Sequence, residues 1–165
     1  AASDVYKRQD IDDAGGEDQV RTLAFKPDGT KMFVGGRDLD KLRQYDLATP
    51  FDLRSGVTPG GVSADLSSIE TNMRNIQFNP DGTQLFLSGN ERDVGRMNKI
   101  NLSTAYDITT LSSTAETFDL GSRANNMMGF IFASNFTKLF VTSDNGPPGT
   151  NQIHEYEIDL SLIHI

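Results

Sequence analysis

Three short stretches of this chain gather the oxygen ligands that bind hard cations. Asp38 and Asp40 lie in the first, Asn90, Glu91 and Asp93 in the second, and Asp144 and Asn145 in the third, each in a polar run between apolar segments. Calcium takes about six to eight oxygens from carboxylates, amides and carbonyls. Such loops converging from separate parts of the chain would form a calcium site or hold a cationic group. Asp13, Glu17, Asp18 and Glu70 would join the same end. The plainer reading of all of them is solvated loop charge. Arg21 and Arg74 are a second pair of interest, at matching places 53 residues apart, with Met128 third in the series. Facing a shared channel they would bind an anion; the plainer reading pairs them with nearby carboxylates. No nucleotide-binding, metalloprotease, nucleophile-elbow or EF-hand motif accompanies these residues. His154 sits in an alternating strand pattern, where an ordinary strand role is the simplest account. The sequence therefore offers no catalytic residue.

The elements that would position these side chains repeat. Phe25 opens FKPDGTKMF, Phe78 opens FNPDGTQLF and Phe132 opens FASNFTKLF, at offsets of 53 and 54 residues. A period of this length marks an array of similar units rather than a set of domains. Pro27, Asp28 and Gly29, and Pro80, Asp81 and Gly82, are turn residues: proline presets the first corner, aspartate suits the second, and glycine supplies a left-handed residue. The third turn carries Phe136 where the other two have glycine, so an altered hairpin is expected there. Period-2 alternation predicts strands over 20–25, 31–35 and 41–47 and at the matching places in the other units. A fourth strand is expected near 62–66 and 117–120. Four-stranded antiparallel units in series are propeller blades. The fold class is therefore all-β: a partial β-propeller of about three four-stranded antiparallel blades in an open ring, over 19–67, 72–120 and 126–159, with part of a preceding blade at 10–13.

Composition agrees with that class and narrows the partners. The chain has 165 residues, 15 glycines, 6 prolines and no cysteine, which excludes a disulfide framework and a thiolate zinc site. A net charge of −8 argues against nucleic acid. No apolar run reaches the roughly 18 residues of a membrane helix, so no membrane insertion is expected.

The FxPDGTKxFV motif, followed by a polar loop and then Gln44-Tyr45-Asp46-Leu47, resembles the PDG-turn propeller repeats of TolB-like and YVTN-type proteins. Leu47-Ala-Thr-Pro-Phe-Asp-Leu53, echoed by Leu102-Ser-Thr-Ala-Tyr-Asp-Ile108, is similar to uncharacterised repeats of bacterial and phage surface proteins. The resemblance spans nearly all of 10–159. It implies a propeller, and it points to an extracellular or cell-surface setting. Both ends carry a different likeness. Asp4-Val-Tyr-Lys-Arg-Gln9 and Leu160-Ser-Leu-Ile-His-Ile165 are encodable by reverse-complementary DNA and resemble a translated sequencing adapter. Residues 1–9 and 160–165 are accordingly expected to be adapter-derived, and the chain is expected to lack further blades of a longer parent. The function read from the residues is a non-catalytic binding or interaction scaffold with a protein or carbohydrate partner and no cofactor. A calcium-dependent hydrolase or lactonase-like propeller, and a structural part of a surface or virion protein, are the alternatives.

Overall fold

The computed structural model describes residues 19–89, 95–133, 135–144 and 151–158. Their strands form three antiparallel sheets of four, four and three strands. The first contains β1 (Val20–Phe25), β2 (Lys31–Gly36), β3 (Arg43–Thr49) and β4 (Asp52–Val62). The second contains β5 (Met73–Phe78), β6 (Gln84–Gly89), β7 (Arg96–Leu102) and β8 (Leu111–Asp119). The third contains β9 (Met127–Ala133), β10 (Lys138–Asp144) and β11 (Asn151–Glu157). Each sheet is a meander in chain order. Phe25 pairs with Met32, Phe78 with Leu85 and Phe132 with Leu139, so the three hairpins share one register. The chain is thus an open run of propeller blades, with β1, β5 and β9 side by side as the innermost strands.

The fourth strands differ from the expectation. They occupy Asp52–Val62 and Leu111–Asp119, starting earlier than the sequence pattern suggested. The tight return explains it. Phe51 takes φ 57° and Thr49 pairs with Asp52, so the chain reverses immediately after β3. Pro59 and three glycines then fall inside β4, which hides its periodicity. An outer-edge strand tolerates such residues because its free side needs no ladder partner.

The turns between the first two strands of each blade follow from their residue types. Gly29 and Gly82 hold φ 73° and 75°. The Asp28 carboxylate accepts from the Thr30 amide at 3.0 Å and its hydroxyl at 2.7 Å, and Asp81 repeats this with Thr83 at 2.9 and 2.5 Å. The Lys26 ammonium, then the Thr30 hydroxyl and amide, hold the Asp28 carboxyl far below the ordinary carboxylate range. The Thr83 hydroxyl and amide lower Asp81 in the same way. Over each glycine lies an aromatic ring from the return between the third and fourth strands. A Cβ on Gly29 would come within 2.3 Å of the Phe51 ring, and one on Gly82 within 2.1 Å of the Tyr106 ring. In the third blade Asn135 and Phe136 both take left-handed φ, 56° and 66°. Phe136 stacks on Phe132 at 4.4 Å between centroids, the place held by Phe51 against Phe25 (5.5 Å) and by Tyr106 against Phe78 (5.3 Å). The aromatic partner has moved from the later return into the turn itself.

The core lies between blades. Phe33, Leu42 and Ala24 of the first blade pack against Met73, Ile76, Phe78, Leu85 and Leu87 of the second. Phe86 and Met97 of the second pack against Met127, Phe130, Phe132, Leu139 and Val141 of the third. Polar side chains of the innermost strands stitch these layers. The Ile76 amide donates to Thr22 Oγ1 at 3.0 Å, Asn75 Nδ2 donates to the Phe130 carbonyl at 2.5 Å, and the Phe132 amide donates to Gln77 Oε1 at 2.9 Å. Gln44 adds a further tie: its amide donates to the Tyr106 carbonyl at 3.2 Å and accepts from Lys31 Nζ at 2.6 Å.

Candidate functional site

A meander puts alternate connections at opposite ends of a blade. The glycine turns and the Phe51 and Tyr106 returns occupy one end. The loops between second and third strands, and the connections to the next blade, occupy the other. Backbone bonds build this second end. Leu66 donates to the Asp40 carbonyl at 2.8 Å, Ser63 to the Leu42 carbonyl at 2.9 Å, Leu120 to the Gly95 carbonyl at 2.8 Å, and Asp144 to the Asn126 carbonyl at 3.2 Å. Each loop is therefore pinned to a neighbouring connection, giving a defined surface on which variable side chains sit.

Asp38, Asp40 and Asp144 are at this end. Asn90, Glu91, Asp93 and Asn145 lie outside the described residues, as do Asp13, Glu17 and Asp18. Asp40 has a structural duty. It takes φ 51° at the position where the second blade has Gly95 at φ 55°, and both carbonyls accept the same connection amide. Aspartate is among the few residues that tolerate this conformation. Glu70 is buried, accepting from the Asn72 amide at 3.3 Å, and its side chain fills the space above Gly89. Among the described residues, no three His, Cys, Asp or Glu side chains are grouped to hold a metal ion. His154 lies 3.2 Å from Ser143 Oγ across the β10–β11 pair, as a strand residue does.

Arg21 and Arg74 lie near this same end of the innermost strands β1 and β5. The expected carboxylate partners are not what the described residues supply. Arg21 Nη1 donates to Asn72 Oδ1 at 2.7 Å and Nη2 to Gln19 Oε1 at 3.1 Å. Arg74 Nη1 reaches Met128 Sδ at 2.6 Å. Arg74 Nε is buried and has no hydrogen-bond partner among the described residues. The ion pairs among the described residues lie elsewhere, as in Lys31–Asp46 at 2.8 Å and Lys99–Glu116 at 2.7 Å. Two guanidinium groups whose partners among the described residues are neutral thus stand at the same end of adjacent innermost strands. Arginine presents a planar fork suited to carboxylate or phosphate.

A groove absent from the sequence reading runs beside the second blade. It encloses about 320 Å³, lined by Ser68–Glu70 of the connection and by Arg96, Asn98 and residues 113–115 and 117. Its hydroxyls and amides belong to strands whose periodicity marks only their apolar face. Asn72, the partner of Arg21, also gave no signal, because its role depends on the connection crossing to the neighbouring blade.

No protein-family model matches the chain, and no curated protein sequence does. Solved structures do resemble it. A candidate 6-phosphogluconolactonase from Bacteroides fragilis is 18% identical with a TM-score of 0.54, over 86% of this chain and 35% of that one. A luciferin-regenerating enzyme is 14% identical with a TM-score of 0.57, over 83% and 44%. The β-propeller domain of Cps50 (Swd1) from Myceliophteria thermophila is 9% identical with a TM-score of 0.54, over 84% and 39%. At these identities the likeness concerns the fold. The matched region covers well under half the length of each of these structures.

Proposed function

We propose that this chain is a non-catalytic binding scaffold whose loop end receives its partner, with Arg21 and Arg74 at the channel mouth taking an anionic group. The observation that carries this reading is the arginine pair itself: equivalent positions on adjacent innermost strands, held by an amide and a thioether rather than by carboxylates. A carboxylate- or phosphate-bearing ligand would supply the missing counter-charge through bidentate bonds. The third blade points to a clean variant, because it carries Met128 where Arg74 stands. Isothermal titration of the full chain with inorganic phosphate and with a polyglutamate peptide at low salt tests the reading. Binding is expected, weakened by salt and weakened about tenfold or more in Arg74→Met. Wild-type behaviour in both Arg74→Met and Arg21→Ala, or no binding by the wild type, would overturn it.

A second reading rests on the neighbours described as lactonase-like and luciferin-regenerating. In it, the acidic loop residues would hold calcium and the chain would belong to a hydrolase. Lactone hydrolysis that requires calcium, together with a rise in Tm at millimolar calcium, would favour this reading over the scaffold. An unmoved Tm would remove the calcium site.

A further inference from the structure

The groove beside the second blade lies between the first two blades, and the arginine pair of the proposed site does not line it. Its wall on the first-blade side is the connection at Ser68–Glu70, which is held in a tight turn. The Ser67 amide donates to Asp65 Oδ1, and the Ile69 and Glu70 amides both donate to the Leu66 carbonyl, each at 2.8 Å. The opposite wall is strand ladder, with Asn98 paired to Thr117 and Arg96 to Asp119. Ile69 and Ala115 rest on the core beneath and give the groove an apolar floor. Its volume of about 320 Å³ lies at the small end of ligand sites, which run from about 300 to 1,000 Å³. None of its lining residues is aromatic, so a nucleobase or aryl group would have no ring to stack on.

The groups around that floor are polar. Asn98 is only 5% exposed; its Oδ1 accepts from Thr117 Oγ1 at 2.8 Å, and its Nδ2 has no partner among the described residues. A buried donor left unpaired is costly, which favours a ligand acceptor at this point. Arg96 is exposed at the rim and makes no ion pair among the described residues. Asp119, opposite it on the ladder, accepts instead from the Gly121 amide at 2.8 Å. Glu70, buried, brings a carboxylate to the connection wall, and Ser68, Ser113 and Thr114 add hydroxyls. We propose that this groove is a second binding site, for a sugar acid such as a hexuronic acid. A hydroxyl both donates and accepts, so ring hydroxyls donate to Glu70 and accept from Asn98 Nδ2. The C–H face of the sugar lies on Ile69 and Ala115. Its carboxylate meets the Arg96 fork at the open rim, an orientation that the charge of Glu70 enforces by repulsion.

Titration of the full isotope-labelled chain with sodium glucuronate, followed by nuclear magnetic resonance, tests this, with glucose and propionate as partial ligands at matched ionic strength. Glucuronate should move the amides of Ile69, Asn98 and Ala115, and should bind about tenfold or more tightly than either partial ligand. Arg96→Ala, at an exposed position, should weaken glucuronate about tenfold and leave any glucose binding unchanged. Asn98→Asp replaces the unpaired donor by an acceptor and should weaken both sugars. If that variant fails to fold, Thr114→Trp, at an exposed position on the groove wall, should abolish binding by filling the groove. Arg74→Met should change none of these affinities, which separates this site from the arginine pair. An oligogalacturonide run beside the monomer distinguishes a chain from a free sugar acid, and Arg96-dependent binding of either supports the site. No binding of a sugar acid, glucose or propionate binding as tightly as glucuronate, shifts confined to Arg21 and Arg74, or wild-type affinity in Arg96→Ala would overturn the proposal.

Discussion

Gly82 and Gly121 share a positive φ but not a neighbourhood, and Gly121 combines φ 77° with ψ 177°, a backbone nearly confined to glycine. A Cβ on Gly82 would lie 2.1 Å from the Tyr106 ring, whereas nothing stands within 4 Å of one on Gly121. Gly121→Ala should cost about 1–3 kcal/mol from backbone strain alone. Gly82→Ala adds displacement of a buried ring whose hydroxyl donates to the Pro80 carbonyl at 2.8 Å, and should cost at least about 3 kcal/mol in urea unfolding. Asp81 sets an acid limb. Its folded carboxyl is held below the ordinary value of 3.8 by the Thr83 hydroxyl and amide, so its contribution is present above that value and is lost as pH falls through the folded one. Asp81→Asn should therefore be less stable than the wild type near neutrality, and the two unfolding curves should converge in acid. These residues were legible in the sequence, since proline, aspartate and glycine at turn spacing carry their own mechanism. Asp40 was legible only as a charge. Its left-handed backbone emerges when it is aligned with Gly95, and loops of unequal length conceal that alignment.

At the scale of elements, the hairpins at Phe25, Phe78 and Phe132 were readable because alternation and turn chemistry agree there. The outer strands were not, since β4 combines Pro59 with glycines and its start depends on Phe51 adopting φ 57°. The third turn shows how one element compensates for another. Phe136 pays the strain of a left-handed bulky residue, yet it is buried against Phe132 and Phe86. Phe136→Gly relieves about 1 kcal/mol of strain and removes about 3–4 kcal/mol of buried ring. The variant should be less stable by roughly 2–3 kcal/mol, read as a lower urea midpoint at unchanged slope. Within the candidate site, the arginines were legible from their spacing, while their neutral partners were not. Asn72 and Met128 reach them only through the packing of adjacent blades.

For the whole molecule, the sequence period made the blades countable, whereas the packing between them depends on residues such as Thr22, Asn75 and Gln77 that bond across to a neighbouring blade. The displaced aromatic also bears on the order in which the chain folds. Phe25 and Phe78 must wait for rings 26 and 28 residues downstream, whereas Phe132 meets Phe136 after only four. The loop-closure difference favours the short pairing by about 1.5–2 kcal/mol, and local contacts form early. Amides of the β9–β10 hairpin should gain exchange protection first, so that the blade presented last in the sequence becomes the template on which the earlier ones settle.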